Sequence, residues 1–169
     1  MFEEVHSADP QFAAQYDVPF AEAFFLRASE NKDSSPDSAL DDFKRACQMN
    51  PKNFETHFEM GRLLTTIEKY REAILSYQKA IENNPDFPDA HFNLGYLYFR
   101  KKAYVLAAEE FETVVKLNPP YLKDAYFNLG LSYLRSGEKK KALRAFQNTL
   151  RLDPKDKRVI DLVKGLGKS

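Results

Sequence analysis

The chain has 169 residues, 43% of them hydrophobic and 14% aromatic, which is enough to bury a core without disulfides or a metal. Its 25 Lys and Arg balance 25 Asp and Glu, so no overall field steers it toward nucleic acid or an anionic membrane, and charged recognition must be local. The single cysteine, Cys47, excludes an intramolecular disulfide framework and a cysteine-based zinc site.

Residues 1–19 read as a leader. Glu3, Glu4 and Asp9 stand where a secretory signal needs basic residues and then an apolar stretch, and no later run reaches membrane-spanning length. The expectation is a cytoplasmic protein that binds neither membrane nor nucleic acid. With Phe2, Val5 and Phe12 among acids, the leader is expected either to form a short helix packed on residues 20–53 or to be disordered.

Residues 20–53 predict two helices. The first is weakly patterned around Ala23 and Leu26, and the second carries Ala39, Phe43 and Ala46 before Asn50-Pro51. Ser35-Pro36 offers a cap and a first-turn proline for the second helix, and the polar stretch Asn31 to Ser38 is expected to be a mobile turn. Residues 54–87, 88–122 and 123–156 each predict a helix, a short polar turn such as Arg100 to Ala103 or Ser136 to Lys139, and a second helix. Each of these units closes on Asn84-Pro85, Asn118-Pro119 or Asp153-Pro154, where proline drives its predecessor out of the right-handed helical region. Residues 157–169 predict a capping helix with Val159, Ile160, Val163 and Leu166 on one face.

The closing prolines Pro51, Pro85, Pro119 and Pro154 recur at spacings of 34, 34 and 35, and segments 90–98 and 125–133 are near-duplicates. The extra residue falls at Pro119-Pro120, in a turn between repeats, where insertions are tolerated. Three units share a column of residue types: His57, Met60, Gly61, Leu64, Ala73, Tyr77, Ala80, Pro85; then His91, Leu94, Gly95, Tyr98, Ala107, Phe111, Val114, Pro119; then Tyr126, Leu129, Gly130, Tyr133, Ala142, Phe146, Thr149, Pro154. Glycine and alanine stand where helices must approach closely, and aromatics fill the space between units. The pattern resembles the tetratricopeptide-repeat (TPR) family. Residues 20–53 fit as a degenerate first repeat, with Arg27 where the glycine belongs.

The resemblance implies an all-α fold, a right-handed α-solenoid of stacked helix-turn-helix units whose first helices line a concave groove for a protein or peptide. Carrying over the family's groove positions gives Glu55, Phe58, Glu59, Arg62 and Thr66 in the second unit. The third contributes Asp89, Phe92, Asn93, Tyr96, Phe99 and Arg100, and the fourth Asp124, Phe127, Asn128, Leu131 and Arg135. Asn93 and Asn128 read either as a ladder pairing with a peptide backbone or as solvated polar residues. Phe58, Phe92 and Phe127 read either as partner anchors or as packing between first helices. Asp89 and Asp124 stand at the helix starts, and Arg100 and Arg135 at the ends, so the expected groove is mixed in charge. Some family members clamp a C-terminal carboxylate with lysine and asparagine; those positions fall here on Phe58, Arg62, Phe92 and Tyr96, which disfavours such a clamp.

No catalytic residue, cofactor or metal is expected. His57 and His91 sit at the large packing position, and no His-Glu-x-x-His, calcium loop or Gly-x-Ser-x-Gly motif is present. The tail Gly167-Lys168-Ser169 mimics a phosphate loop, but its first glycine would fall on Leu162. Arg100-Lys101-Lys102 and Lys139-Lys140-Lys141 read as solvated basic turns or as a surface for an acidic partner. The function these readings favour is a non-catalytic adaptor or scaffold. The alternatives are a homo-oligomer packing through its groove or end helices, and a regulatory or substrate-presenting segment of a larger enzyme.

Overall fold

The computed structural model describes residues 10–167, of which residues 10–17 are described by backbone alone. Nine helices account for the regular structure of these residues: α1 (Pro10–Asn31), α2 (Pro36–Met49), α3 (Phe54–Thr66), α4 (Tyr70–Asn83), α5 (Pro88–Arg100), α6 (Tyr104–Leu117), α7 (Leu122–Arg135), α8 (Lys139–Leu152) and α9 (Lys157–Leu166). They fall into two compact units, one ending at Pro85 and one beginning at Asp86. The first holds the hairpins α1/α2 and α3/α4; the second holds α5/α6, α7/α8 and α9. This is the all-α class of stacked helical hairpins expected of a repeat solenoid. No helix among the described residues is long and apolar enough to cross a membrane.

Three hairpin turns share one construction. Glu68, Lys102 and Gly137 take positive φ of 61°, 61° and 89°. The next residue in each turn donates its N–H back to the helix it has left, Lys69 to Leu64, Ala103 to Tyr98 and Glu138 to Tyr133, at 2.8, 2.9 and 2.8 Å. This Schellman geometry satisfies carbonyls that the helix end would otherwise leave open.

Between repeats, Asn50, Asn84 and Asp153 leave their helices with φ of −131°, −143° and −140°. Asn118, ahead of the double proline, instead takes the left-handed conformation, φ 55°. All four avoid the right-handed region, as a following proline requires.

Within the hairpins one small residue meets one ring. A Cβ added to Gly61, Gly95 or Gly130 would stand 2.7, 3.1 or 2.5 Å from Tyr77, Phe111 or Phe146. Three residues before each glycine, Phe58, Phe92 and Phe127 pack edgewise or tilted on the same rings, at centroid distances of 5.8, 5.4 and 6.2 Å.

The first hairpin corrects the sequence reading by one position. Phe25 packs on Phe43 at 5.9 Å, so the small residue three places on is Ala28, which is fully buried, and not Arg27. Arg27 is 55% exposed and forms a two-point bond with buried Asp42, both contacts at 2.6 Å. The α1–α2 turn is built differently from the others: Ser35 N–H donates to Asn31 at 2.8 Å, and α2 starts at Pro36. Thus Asp37 and Ser38 are helical rather than turn, and Ser35 makes no side-chain cap bond.

The leader boundary expected at residue 19 lies inside α1, which contains Pro19. Phe2, Val5 and His6, like Lys168 and Ser169, lie outside the described residues. At the other end, Asp156 caps α9 by accepting from Arg158 N and Val159 N at 3.1 and 3.4 Å. Val159 is fully buried, while Leu162, Val163 and Leu166 lie against the core that Phe111, Leu129 and Phe146 build.

Candidate protein-binding face

On α5, Asp89, Asn93, Tyr96 and Arg100 follow one another at helical spacing and share one stripe; Asp124, Asn128, Leu131 and Arg135 do the same on α7. Each stripe starts with a carboxylate in the first turn and ends with a guanidinium in the last. This order suits the helix dipole, so the mixed charge has a local cause as well as any recognition role.

Asn93 and Asn128 are half-buried, and each amide donates to the carbonyl four residues back, Asp89 O at 2.7 Å and Asp124 O at 2.8 Å. That bond fixes the rotamer and uses one of two N–H groups. One N–H and Oδ1 of each amide remain for a ligand.

The phenylalanines are half-buried packing elements. Phe92 stands edge-on to Phe111 and, on its other side, to Tyr121 at 5.5 Å. Phe127 lies on Phe146, with the Arg158 guanidinium of α9 over its ring at 5.2 Å. Phe99 packs on Tyr104 at 5.3 Å. Leu131 packs against the same core, whereas Tyr96 is 43% exposed, the large apolar surface of the α5 stripe.

In the first unit, Arg62 pairs with Glu59 at 2.8 Å and lies 6.0 Å from the Phe58 ring, while Glu59 also receives Lys32 at 3.0 Å. Glu55 and Thr66 are exposed at the two ends of α3, and Thr66 Oγ1 donates to Arg62 O at 3.2 Å.

Sequence reasoning missed Tyr121. It follows the double proline, stands immediately before α7, packs on Phe92 and donates its hydroxyl to the Asp89 carboxylate. Burial, reinforced by that carboxylate, raises the Tyr121 pKa above the ordinary phenol value. Asp89 is therefore held within the fold rather than offered freely to a partner. The one available signal was an aromatic placed beside the repeat's extra residue.

His57 and His91 are bonded internally. His57 Nε2 is 2.9 Å from Pro51 O and its Nδ1 3.5 Å from Cys47 Sγ; His91 Nδ1 is 2.7 Å from Glu110 Oε2. Burial raises the Cys47 thiol to about 11, which keeps it protonated and unreactive at neutral pH. Among the described residues, no group of three or more His, Cys, Asp or Glu is placed to hold a metal ion.

A TPR repeat model matches residues 61–102, and a tetratricopeptide repeat model matches residues 88–121 and 123–156. No curated protein matches the sequence. Among solved structures, a crystal structure of MamA superposes with a TM-score of 0.80 at 23% identity, over 88% of this chain and 81% of that one. YrrB, described as a TPR protein with an unusual peptide-binding site, gives 0.72 at 22% identity, over 85% and 74%. The first TPR domain of Spaghetti (RPAP3), bound to the HSP90 peptide SRMEEVD, gives 0.62 at 24% identity, over 69% and 92%. At this identity the structures speak to the fold alone, while the repeat models cover more than half of the sequence. The chain belongs to the tetratricopeptide-repeat family.

Proposed function

We propose that this chain is a non-catalytic adaptor or scaffold that holds an extended peptide or protein segment on the faces of its first helices. The observation that carries the reading is the matched pair Asn93 and Asn128, each set by its own helix at 2.7 and 2.8 Å with the rest of its amide left to meet a ligand's main chain. Exposed Tyr96 adds an apolar contact on the α5 stripe. The peptide bound by the Spaghetti domain and the peptide-binding site of YrrB support such a use of the fold.

The ligand is expected to be gripped along its backbone and by apolar side chains. Phe58, Arg62, Phe92 and Tyr96 occupy the positions that a carboxylate clamp would need, and Arg62 is committed to Glu59. Selection of peptides from a random library, followed by amide-shift mapping, tests the proposal. Shifts concentrated in residues 89–100 and 124–135 are expected; shifts elsewhere, or no selected peptide, contradict it.

A further inference from the structure

The zero net charge conceals an uneven distribution along the chain. Residues 1–85 hold nine Lys and Arg against fifteen Asp and Glu, and residues 86–169 hold sixteen against ten. Residues 1–17 hold four of the acids of the first half and no Lys or Arg, and the rest of the imbalance lies largely at hairpin turns. Around the α1–α2 turn, Glu30, Asp33, Asp37 and Asp41 are all exposed, and the cation among them, Lys32, is drawn to Glu59 at 3.0 Å. Lys44 lies 3.5 Å from Asp41.

The second unit has the opposite sign. Successive helices α5 to α8 are joined by short links and so alternate in direction, and α6 packs against α7, so the α5–α6 and α7–α8 turns lie at one edge. Lys101, Lys102, Lys139, Lys140 and Lys141 are exposed there, and Arg144 lies one helical turn further along α8. Glu138 is the acid among them and is paired with Lys141 at 2.6 Å. Gly137, Glu138, Lys139, Lys140, Lys141 and Arg144 line an open concavity of about 520 Å³.

We propose that the basic turn edge of one copy docks the acidic α1–α2 turn of a second copy. A surface distinct from the Asn93 and Asn128 face would thus drive self-association. Zero net charge removes the long-range repulsion that keeps strongly charged proteins apart, and the opposed patches supply orientation. Because the two patches differ, the contact joins unlike surfaces, either reciprocally in a closed ring or dimer or successively in an open chain.

Sedimentation of the full chain tests this at about 0.01 M and about 1 M salt, where the Debye length falls from ~30 Å to ~3 Å. Concentration-dependent species larger than a monomer are expected at low salt and a monomer at high salt. Lys101→Glu/Lys139→Glu/Lys140→Glu should weaken association at least about tenfold with melting unchanged, and so should Glu30→Lys/Asp33→Lys/Asp41→Lys. Mixing the two variants should restore it, since each then offers the charge that the other lacks. A monomeric wild type at low salt overturns the proposal, as does association that salt strengthens or that both variants retain. Binding of a poly-glutamate peptide or duplex DNA by a wild type that stays monomeric also overturns it, and assigns the basic edge to an external partner.

Discussion

Gly130 lies against the ring of Phe146 so closely that a Cβ at that position would stand 2.5 Å from Cε1. Ala at Gly130 gains up to about 1 kcal/mol of helix propensity but must displace a buried ring, which costs about 1–3 kcal/mol. The net expectation is a loss for Gly130→Ala and Gly61→Ala and a smaller one for Gly95→Ala, where the nearest ring atom is 3.1 Å away. Urea unfolding of the three variants checks the order. Equal stability in all three would mean that the rings yield freely.

The first hairpin offers a test of register. Ala28→Leu inserts bulk at a fully buried position and should cost about 1–3 kcal/mol. If Arg27 held the glycine position, Arg27→Gly would stabilise by relieving crowding. In the observed register it should destabilise, because it strands the Asp42 carboxylate that Arg27 bonds at two points. Thermal melts of the two variants separate the registers.

The same pair sets a pH dependence. The hydrogen bonds from Arg27 hold the Asp42 pKa below its ordinary value, against the desolvation that raises it. A carboxylate with a depressed folded-state pKa contributes stability that is fully present above its unfolded value, near ~3.9, and is lost as pH falls through the folded one. Wild-type stability should therefore drop more steeply below about pH 4 than that of Asp42→Asn. Parallel acid titrations followed by helical dichroism would contradict this.

The turns give a reciprocal pair of substitutions. Gly137 occupies the left-handed position at φ 89°, and Gly137→Ala should cost about 1 kcal/mol. Lys102 holds the equivalent place at φ 61°, so Lys102→Gly should stabilise by about 0.5 kcal/mol, the strain relieved exceeding the added chain entropy. Chemical denaturation midpoints of both variants check the signs.

The glycine, alanine and aromatic column was legible because the same steric demand recurs in successive hairpins, so Gly61, Gly95 and Gly130 announce themselves by spacing. The first hairpin was not, because Arg27 and Ala28 are neighbours and only the contact between Phe25 and Phe43 shows which of them faces α2. Tyr121 escaped notice since it stands outside the recurring column, yet the inserted residue beside it is where α5 and α7 are tied together through Asp89. The helical spacing of the α5 and α7 stripes was legible but their role was not. A half-buried phenylalanine such as Phe92 follows the same helical spacing whether it supports Phe111 or meets a partner, and the structure shows the support.

On the proposed reading, Asn93 and Asn128 grip a ligand's backbone without carrying the fold. Binding of a selected peptide and thermal melting, measured side by side for wild type and Asn93→Ala/Asn128→Ala, test it directly. Each lost hydrogen bond removes about 1 kcal/mol, so Kd should rise roughly 10- to 30-fold while Tm moves by no more than a few degrees. An unchanged Kd, or a fall in Tm large enough to account for the lost binding, would contradict the account.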